Sequence, residues 1–309
     1  MDACTRPSHT SRQTRAPQPL RLAVFMSLAL LWPTTPALPA APSTTPNDEA
    51  TLSTSPASNY ELGVEAVPAG EETASFAARL TETSTRIARN VTWQVFDAEG
   101  AMLLDATSSA ASLPLSPGSY EVRLELGAVN FQEAFAVPPG GAVTMSFVLN
   151  AGVLRVLPRL GQNPAAEIAS ESRIYALNGI AAGQLMSKST QPGEMLVLPA
   201  GTYRVENQLG LGNAVAVSDV VVKAGVVSAM EFDHNAGLIR LAYEGQDASA
   251  TAWEVRQGET VMIGNLTGPK ADVVLRPGLY TAVMRAGSRL LQRDFTVTAG
   301  ETGIVLIGQ

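Results

Sequence analysis

Short runs in which apolar and polar residues alternate recur along most of the chain. In residues 91–96 every second side chain is apolar, with Trp93 at the centre of the apolar face. Residues 252–256 repeat this arrangement around Trp253. Strict alternation of this kind indicates a β-strand with one buried face. Since no segment shows a convincing helical period, the pattern predicts an all-β protein.

A turn motif that ends in glycine, one further residue and tyrosine occurs three times. The copies are Leu115–Tyr120, Leu198–Tyr203 and Leu275–Tyr280, and an alternating run follows each of them. Proline presets φ in such a turn, and glycine accepts the positive φ that a type II turn requires. The three copies are nearly evenly spaced, and the interval between them is the length of a small repeated domain.

Two tryptophans fix the register between the first and third copies. The interval from Trp93 to Gly118 is identical to the interval from Trp253 to Gly278. The middle copy has no tryptophan, so we expect Tyr175 or its neighbour to take that place. Turn signals divide each unit into about seven short strands, a pattern typical of a β-sandwich.

The repeats set the domain organisation. An Asn-Ala-Gly segment occurs twice, at Asn150–Gly152 and at Asn235–Gly237, and we interpret both copies as junctions between sandwiches. The sequence predicts a signal peptide over residues 1–40, a disordered linker over 41–59 and a degenerate strand pair over 60–75. β-Sandwich repeats 1, 2 and 3 then occupy residues 76–152, 153–237 and 238–309.

The amino terminus has the layout of a secretory signal peptide. A polar, basic stretch precedes an apolar run from Leu22 to Trp32, and small residues follow up to Ala40. As a helix this run would rise about 16 Å, roughly half of the hydrocarbon core of a bilayer. We therefore expect cleavage near Ala40 and no permanent membrane span; a membrane anchor is the alternative. Residues 41–59 are rich in proline, serine and threonine, which is typical of a linker.

Charge and cysteine content narrow the function. The chain has a net charge of −7, and it remains acidic without residues 1–40, which contain four arginines and one aspartate. An acidic chain repels phosphate backbones, so we expect no nucleic-acid partner. Cys4 is the one cysteine and lies in the segment expected to be removed. Disulfides and cysteine-ligated metals are then excluded for the processed chain.

Candidate catalytic and metal-binding residues are few. Outside the signal segment the one histidine is His234, which we expect to be a solvated junction residue; the alternative is a general base. Asp219, Asp233 and Asp247 are far apart in sequence and do not form a calcium loop. The sequence therefore predicts no catalytic residue, no cofactor and no metal site. We interpret the glycosylation sequons at Asn90 and Asn265 as chance matches.

The repeated aromatic residues could line a core or stack on sugars. Each lies on the apolar face of its strand, which favours the core for Trp93, Trp253, Tyr120 and Tyr280. A buried tyrosine hydroxyl would need a partner, and we expect that partner to be backbone near the turn.

The turn motif, together with the later Phe295–Gly300 turn, resembles bacterial exported repeats of the PEGA and carboxypeptidase-regulatory-like types. The resemblance covers residues 76–309 and implies three tandem immunoglobulin-like or prealbumin-like sandwiches in accessory or adhesive proteins. The function predicted is that of an exported, non-enzymatic binding or scaffolding protein of the bacterial cell envelope, periplasmic or secreted. Its partner would be an unknown protein or an envelope polysaccharide. The alternative is a hydrolase or inhibitor with a site in the divergent middle repeat.

Overall fold

The computed structural model describes residues 59–245 and 251–308. The predicted signal peptide and nearly all of the predicted linker lie outside these ranges. Within them every regular element is a β-strand, and there are 23 strands, so the all-β prediction is confirmed. Among the described residues, no helix has the length and apolar character that crossing a membrane requires.

The first sandwich contains eight strands. One sheet has the order β1-β8-β2-β5 and the other β4-β3-β6-β7. The strands are β1 (Tyr60–Ala66), β2 (Thr73–Arg79), β3 (Val91–Asp97), β4 (Met102–Ser108), β5 (Ala110–Pro114), β6 (Gly118–Leu126), β7 (Val129–Val137) and β8 (Gly141–Val148).

The second sandwich also has two sheets. In one, β9 is flanked by β10 and β13 on one side and by β16 on the other; the second sheet has the order β12-β11-β14-β15. The strands are β9 (Ala151–Leu160), β10 (Asn163–Pro164), β11 (Ser170–Ala176), β12 (Leu185–Ser189), β13 (Leu196–Pro199), β14 (Gly201–Leu209), β15 (Val215–Val222) and β16 (Val227–Asp233).

The third sandwich has sheets of three and four strands, with the orders β20-β17-β23 and β19-β18-β21-β22. The strands are β17 (Gly237–Tyr243), β18 (Thr251–Gln257), β19 (Thr260–Thr267), β20 (Lys270–Leu275), β21 (Gly278–Ala286), β22 (Arg289–Val297) and β23 (Thr302–Ile307).

All three repeats share one topology. Seven strands of each repeat correspond and can be lettered A to G, with A being β2, β9 and β17, and G being β8, β16 and β23. In every repeat one sheet contains D-A-G and the other C-B-E-F, and the A–G pair is parallel. The immunoglobulin sandwich instead places A, B, E and D in one sheet. The sheet composition of these repeats therefore differs from the immunoglobulin arrangement.

Each repeat has its own apolar core between its two sheets. Trp93 and Trp253 are fully buried in the first and third cores, as predicted. The second core is built around Leu154, Ile174 and Tyr203. The alternation in the sequence therefore reflects burial. Side chains on one side of each strand enter the core, and those on the other side point toward solvent.

Residues 60–75 contribute an additional strand to the first sandwich. β1 pairs antiparallel with β8 along its whole length, from Tyr60 opposite Phe147 to Ala66 opposite Gly141. Strand A of the same sandwich begins at Thr73. β1 therefore covers the outer edge of strand G in the first repeat.

Candidate interaction surface

The repeated tyrosines brace the turns that precede them. Each hydroxyl donates to the backbone carbonyl four residues earlier, Tyr120 to Ser116 at 2.8 Å, Tyr203 to Pro199 at 2.7 Å and Tyr280 to Arg276 at 3.0 Å. Tyr203 and Tyr280 are buried and Tyr120 is partly buried. Burial also raises the pKa of Tyr203. The prediction of a backbone partner near the turn is confirmed, and these rings are not exposed for sugar stacking.

In the middle repeat, the tryptophan position is occupied by a serine. Trp93 lies opposite Leu124, four residues after the repeat tyrosine, and Trp253 lies opposite Met284 in the same way. The corresponding pair in the middle repeat is Ser172 opposite Asn207. The expectation for Tyr175 is therefore wrong. Its side chain falls on the opposite, partly exposed face of β11, because side chains alternate along the strand.

At this position the core of the second repeat contains a buried polar cluster, which consists of Ser172, Asn207 and His234. Asn207 is completely buried and its Nδ2 donates to Ser172 Oγ at 2.7 Å. His234 Nε2 lies 3.2 Å from the Asn207 carbonyl, and Nδ1 lies 3.1 Å from the Phe232 carbonyl. Only 3% of His234 is exposed, so the expectation of a solvated histidine is wrong. His234 directly follows β16, and its ring lies between the carbonyls of Phe232 and Asn207.

The cluster does not have the geometry of a catalytic site. Both ring nitrogens of His234 face backbone carbonyls, whereas Ser172 Oγ is bonded to Asn207. A nucleophile needs its base within hydrogen-bond reach, and here the two groups have other partners. Asn207 Oδ1 is buried without a hydrogen-bond partner. Sequence periodicity could not reveal the cluster, because serine and asparagine normally indicate a solvated face.

The acids considered for metal binding are dispersed. Asp219 forms two bonds with Arg204, at 2.9 and 3.1 Å, and this partner lowers the pKa of Asp219. Asp233 accepts the N–H groups of Gly161 and Asn235 at the junction. Asp247 lies outside the described residues. Within the described residues no group of three or more metal-ligating side chains comes together.

The exposed faces of the C-B-E-F sheets carry ion pairs, and apolar side chains such as Leu103, Val217 and Leu279 are exposed beside them. Each repeat places a glutamate and, two positions later, an arginine on one strand, and the pairs are Glu121–Arg123, Glu171–Arg173 and Glu254–Arg256. The concave regions on these faces have volumes of about 220, 550 and 130 Å³, and each gathers a single carboxylate. Glycoside hydrolysis by the usual pair of carboxylates would need two.

Successive sandwiches dock through the hairpin that connects strands E and F. In the first repeat Gly127, with φ of 61°, lies against Val197 of the second repeat, and the next amide donates to the Val197 carbonyl at 3.0 Å. In the second repeat Gly210, with φ of 60°, lies against Val274 of the third, whose N–H donates to the Leu211 carbonyl at 2.7 Å. A Cβ at either glycine would come within 2.7 Å of its valine. The same glycine–valine contact is thus used twice, although the backbone hydrogen bond beside it runs in opposite directions at the two junctions.

The second junction has additional polar contacts. Asn213 Oδ1 accepts the Arg276 N–H at 2.8 Å, and its Nδ2 donates to the Tyr280 hydroxyl at 3.0 Å. The Arg276 guanidinium donates to the Val215 carbonyl at 2.8 Å. An apolar cluster that includes Leu209 and Val274 is buried beside these bonds. The turn of the third repeat is therefore held by the second.

The outer edges of the three G strands differ. β8 is covered by β1. Among the described residues, no strand pairs with the outer edge of β16 or of β23. Unpaired strand edges present backbone N–H and C=O groups and are the usual sites of strand addition. These edges are the candidate interaction surface of the molecule.

The fold defines a tandem β-sandwich repeat protein. Residues 238–307 match the model of a family described as the Rhizobiales growth-associated tandem repeat domain, and this span runs from β17 to the last residue of β23. No curated protein matches the chain. The resemblance to PEGA-type and carboxypeptidase-regulatory-like modules remains a prediction.

Similar solved structures include the Bacillus anthracis TIE protein, the minor pilin GBS52 of Streptococcus agalactiae and BcpA, the major pilin subunit of Bacillus cereus. Their sequence identities are 12%, 11% and 11%, and their TM-scores are 0.25, 0.27 and 0.23. The matches cover 77%, 52% and 77% of this chain, and 50%, 94% and 98% of the respective relatives. The matched part thus spans half of the TIE protein. At TM-scores this low, these likenesses carry no argument about the present chain.

Proposed function

We propose that this chain is an exported, non-enzymatic scaffolding protein of the bacterial cell envelope, periplasmic or secreted. The observation that carries the proposal is the repeated docking of one sandwich on the next through Gly127 and Gly210. Such junctions keep successive domains in fixed contact, which is what a spacer or scaffold requires. An enzyme would instead need a pocket that gathers several reactive groups.

A protein partner fits the surface better than a polysaccharide. The large aromatic rings that could stack on sugars, Trp93, Trp253 and Tyr280, are buried in cores. The accessible features are open strand edges and sheet faces that carry ion pairs. Strand edges recognise an extended polypeptide through backbone hydrogen bonds. We therefore propose that the scaffold binds protein.

Export and partner binding can be tested together. An epitope-tagged chain expressed in its native bacterium should appear in the envelope or the medium, with an amino terminus near Ala41. Chemical cross-linking of that fraction should capture a protein partner in stoichiometric amounts. A matched variant that lacks residues 1–40 serves as the control and should stay in the cytoplasm without the partner. Retention of the intact chain in the cytoplasm, or turnover of a small substrate by the purified protein, would contradict the proposal.

A further inference from the structure

The outer edges of the three G strands differ in how they are protected from pairing with another strand. β8 is covered by β1, and the outer face of β16 carries Glu231 and Asp233. Glu231 is held by Arg159 at 2.6 Å, so charge is fixed beside that edge. Covering an edge and placing charges along it are two ways in which natural proteins prevent strand pairing.

β23 is not covered by another strand among the described residues. Its sequence, Thr302–Ile307, contains no charged residue. Ile304 is 66% exposed and Leu306 is 42% exposed on its outer face. At the end of the strand, Arg293 Nη1 donates to the outward Leu306 carbonyl at 2.6 Å. An exposed, apolar and uncharged edge strand favours pairing with another strand.

The backbone groups available on this edge follow from the pairing with β17. The Leu238 amide bonds the Glu301 carbonyl, and the Glu244 amide bonds the Ile307 carbonyl. In a parallel ladder the groups of alternate residues point to the same side. The N–H and C=O groups of Thr302 and Ile304 therefore point away from β17, toward the open edge.

We propose that β23 pairs antiparallel with β23 of a second copy of this chain, forming a two-fold symmetric dimer with a continuous sheet. This inference deepens the proposed scaffold function and takes its biological setting from it. The partner is a second copy because, in a two-fold symmetric dimer, both strands at the interface are the same uncharged β23 edge. No charge on β23 opposes this approach, whereas two copies of the β16 edge would bring like charges together.

The direction of the added strand has a precedent within the molecule. At the equivalent edge of the first repeat, β1 runs antiparallel to β8. In the dimer, Thr302 of each copy lies opposite Ile304 of the other, so that these residues exchange backbone hydrogen bonds in both directions. This register leaves the Leu306 carbonyl with Arg293. The two Ile304 side chains then lie close together on the outer face, where β-branched residues pack well.

Sedimentation of the purified full-length processed chain over a range of concentrations tests the pairing. The wild type should show a reversible monomer–dimer equilibrium. Ile304→Lys should raise the dissociation constant at least tenfold, because like charges would approach each other across the new ladder. Ala229→Lys is the matched control, since Ala229 is the exposed residue at the equivalent position of β16. It should leave the equilibrium unchanged.

Two further measurements separate pairing from a folding defect. Thr302→Pro removes an outward N–H without adding charge and should also weaken the dimer, while thermal melts show that both variants are folded. Hydrogen exchange of the wild type should show protection of the Thr302 and Ile304 amides that grows with concentration. A wild type that stays monomeric throughout, or an Ile304→Lys variant that dimerises like the wild type, overturns the proposal. Either result leaves the envelope cross-linking test of the scaffold function unaffected.

Discussion

At the scale of single residues, equivalent positions have acquired different tasks. Gly152 and Gly237 lie directly beneath the turn between strands F and G of their repeats. The equivalent residue of the first repeat is Glu72, whose carbonyl accepts the Leu115 N–H of the repeated turn. Its buried carboxylate accepts the N–H groups of Gly140 at 3.0 Å and Gly70 at 2.7 Å. In the first repeat the Glu72 side chain therefore binds the turn between strands F and G, whereas in the other two repeats a glycine packs directly against the backbone of that turn.

The Glu72 carboxylate should make the first repeat sensitive to acid. Hydrogen bonds from backbone N–H groups, chiefly that of Gly140, lower the pKa of Glu72 below its usual 4.5. A lowered folded-state pKa contributes stability above the unfolded value, and this stability is lost as pH falls through the folded value. We expect Glu72→Gln to lower the melting temperature at neutral pH and to have little effect in strong acid. Glu65→Gln, at an exposed site on β1, is the control. A difference that does not shrink in acid would contradict the assignment.

The hydroxyl of Tyr280 should matter more than that of Tyr120. Tyr280 bonds both the Arg276 carbonyl and Asn213 Nδ2, whereas Tyr120 bonds the Ser116 carbonyl. Each hydrogen bond contributes about 1 kcal/mol net. Tyr280→Phe should therefore cost about 2 kcal/mol in denaturant unfolding, roughly twice the cost of Tyr120→Phe. Equal costs would show that the Asn213 contact adds no stability.

At the scale of strands, alternation in the sequence was sufficient to place the strands around Trp93 and Trp253 with the correct inward faces. The parallel pairing of strands A and G could not be predicted, because it joins the first and last segments of each repeat. The pairing of β1 with β8 could not be predicted for the same reason, since β8 is also distant in sequence. The middle repeat marks the limit of the periodic signal. Ser172 is buried against Asn207, which is 35 residues away in sequence, and serine and asparagine normally indicate a solvated face.

The junction glycines should tolerate no side chain. A Cβ on Gly152 would lie 2.2 Å from the Lys223 carbonyl oxygen, and one on Gly237 would lie 2.5 Å from that of Thr298. Since backbone must then shift, Gly152→Ala and Gly237→Ala should each destabilise their repeat by about 1–3 kcal/mol. Gly63→Ala on β1 is the control, because its Cβ would have only ordinary contacts at 3.9 Å or more. The measurement is the midpoint of chemical denaturation for each of the three variants. Equal midpoints would contradict the predicted steric clash at Gly152 and Gly237.

At the scale of the whole molecule, contacts between repeats determine whether they unfold together. Asn213 provides two of the polar contacts between the second and third repeats. Asn213→Ala should weaken their coupling by about 1–3 kcal/mol, since energetic coupling is found between residues in direct contact. Melting should then separate into two steps, with protease cutting first near the second junction. Asn130→Ala, at an exposed position of β7, should keep the wild-type melting profile. A single unchanged transition for Asn213→Ala would place the coupling elsewhere.

The twofold use of one docking contact also makes the repeats exchangeable. Gly127 meets Val197 and Gly210 meets Val274, with nearly equal φ angles at the glycines. The linking asparagines, Asn150 and Asn235, share φ values of 45° and 44°. The glycine and the valine of this contact are therefore already matched between the first and third repeats, although the two are never neighbours and the connecting hairpin is longer in the second repeat than in the first. A gene for such a protein can gain or lose a whole repeat without inventing a new boundary, so its length is free to change in steps of one domain.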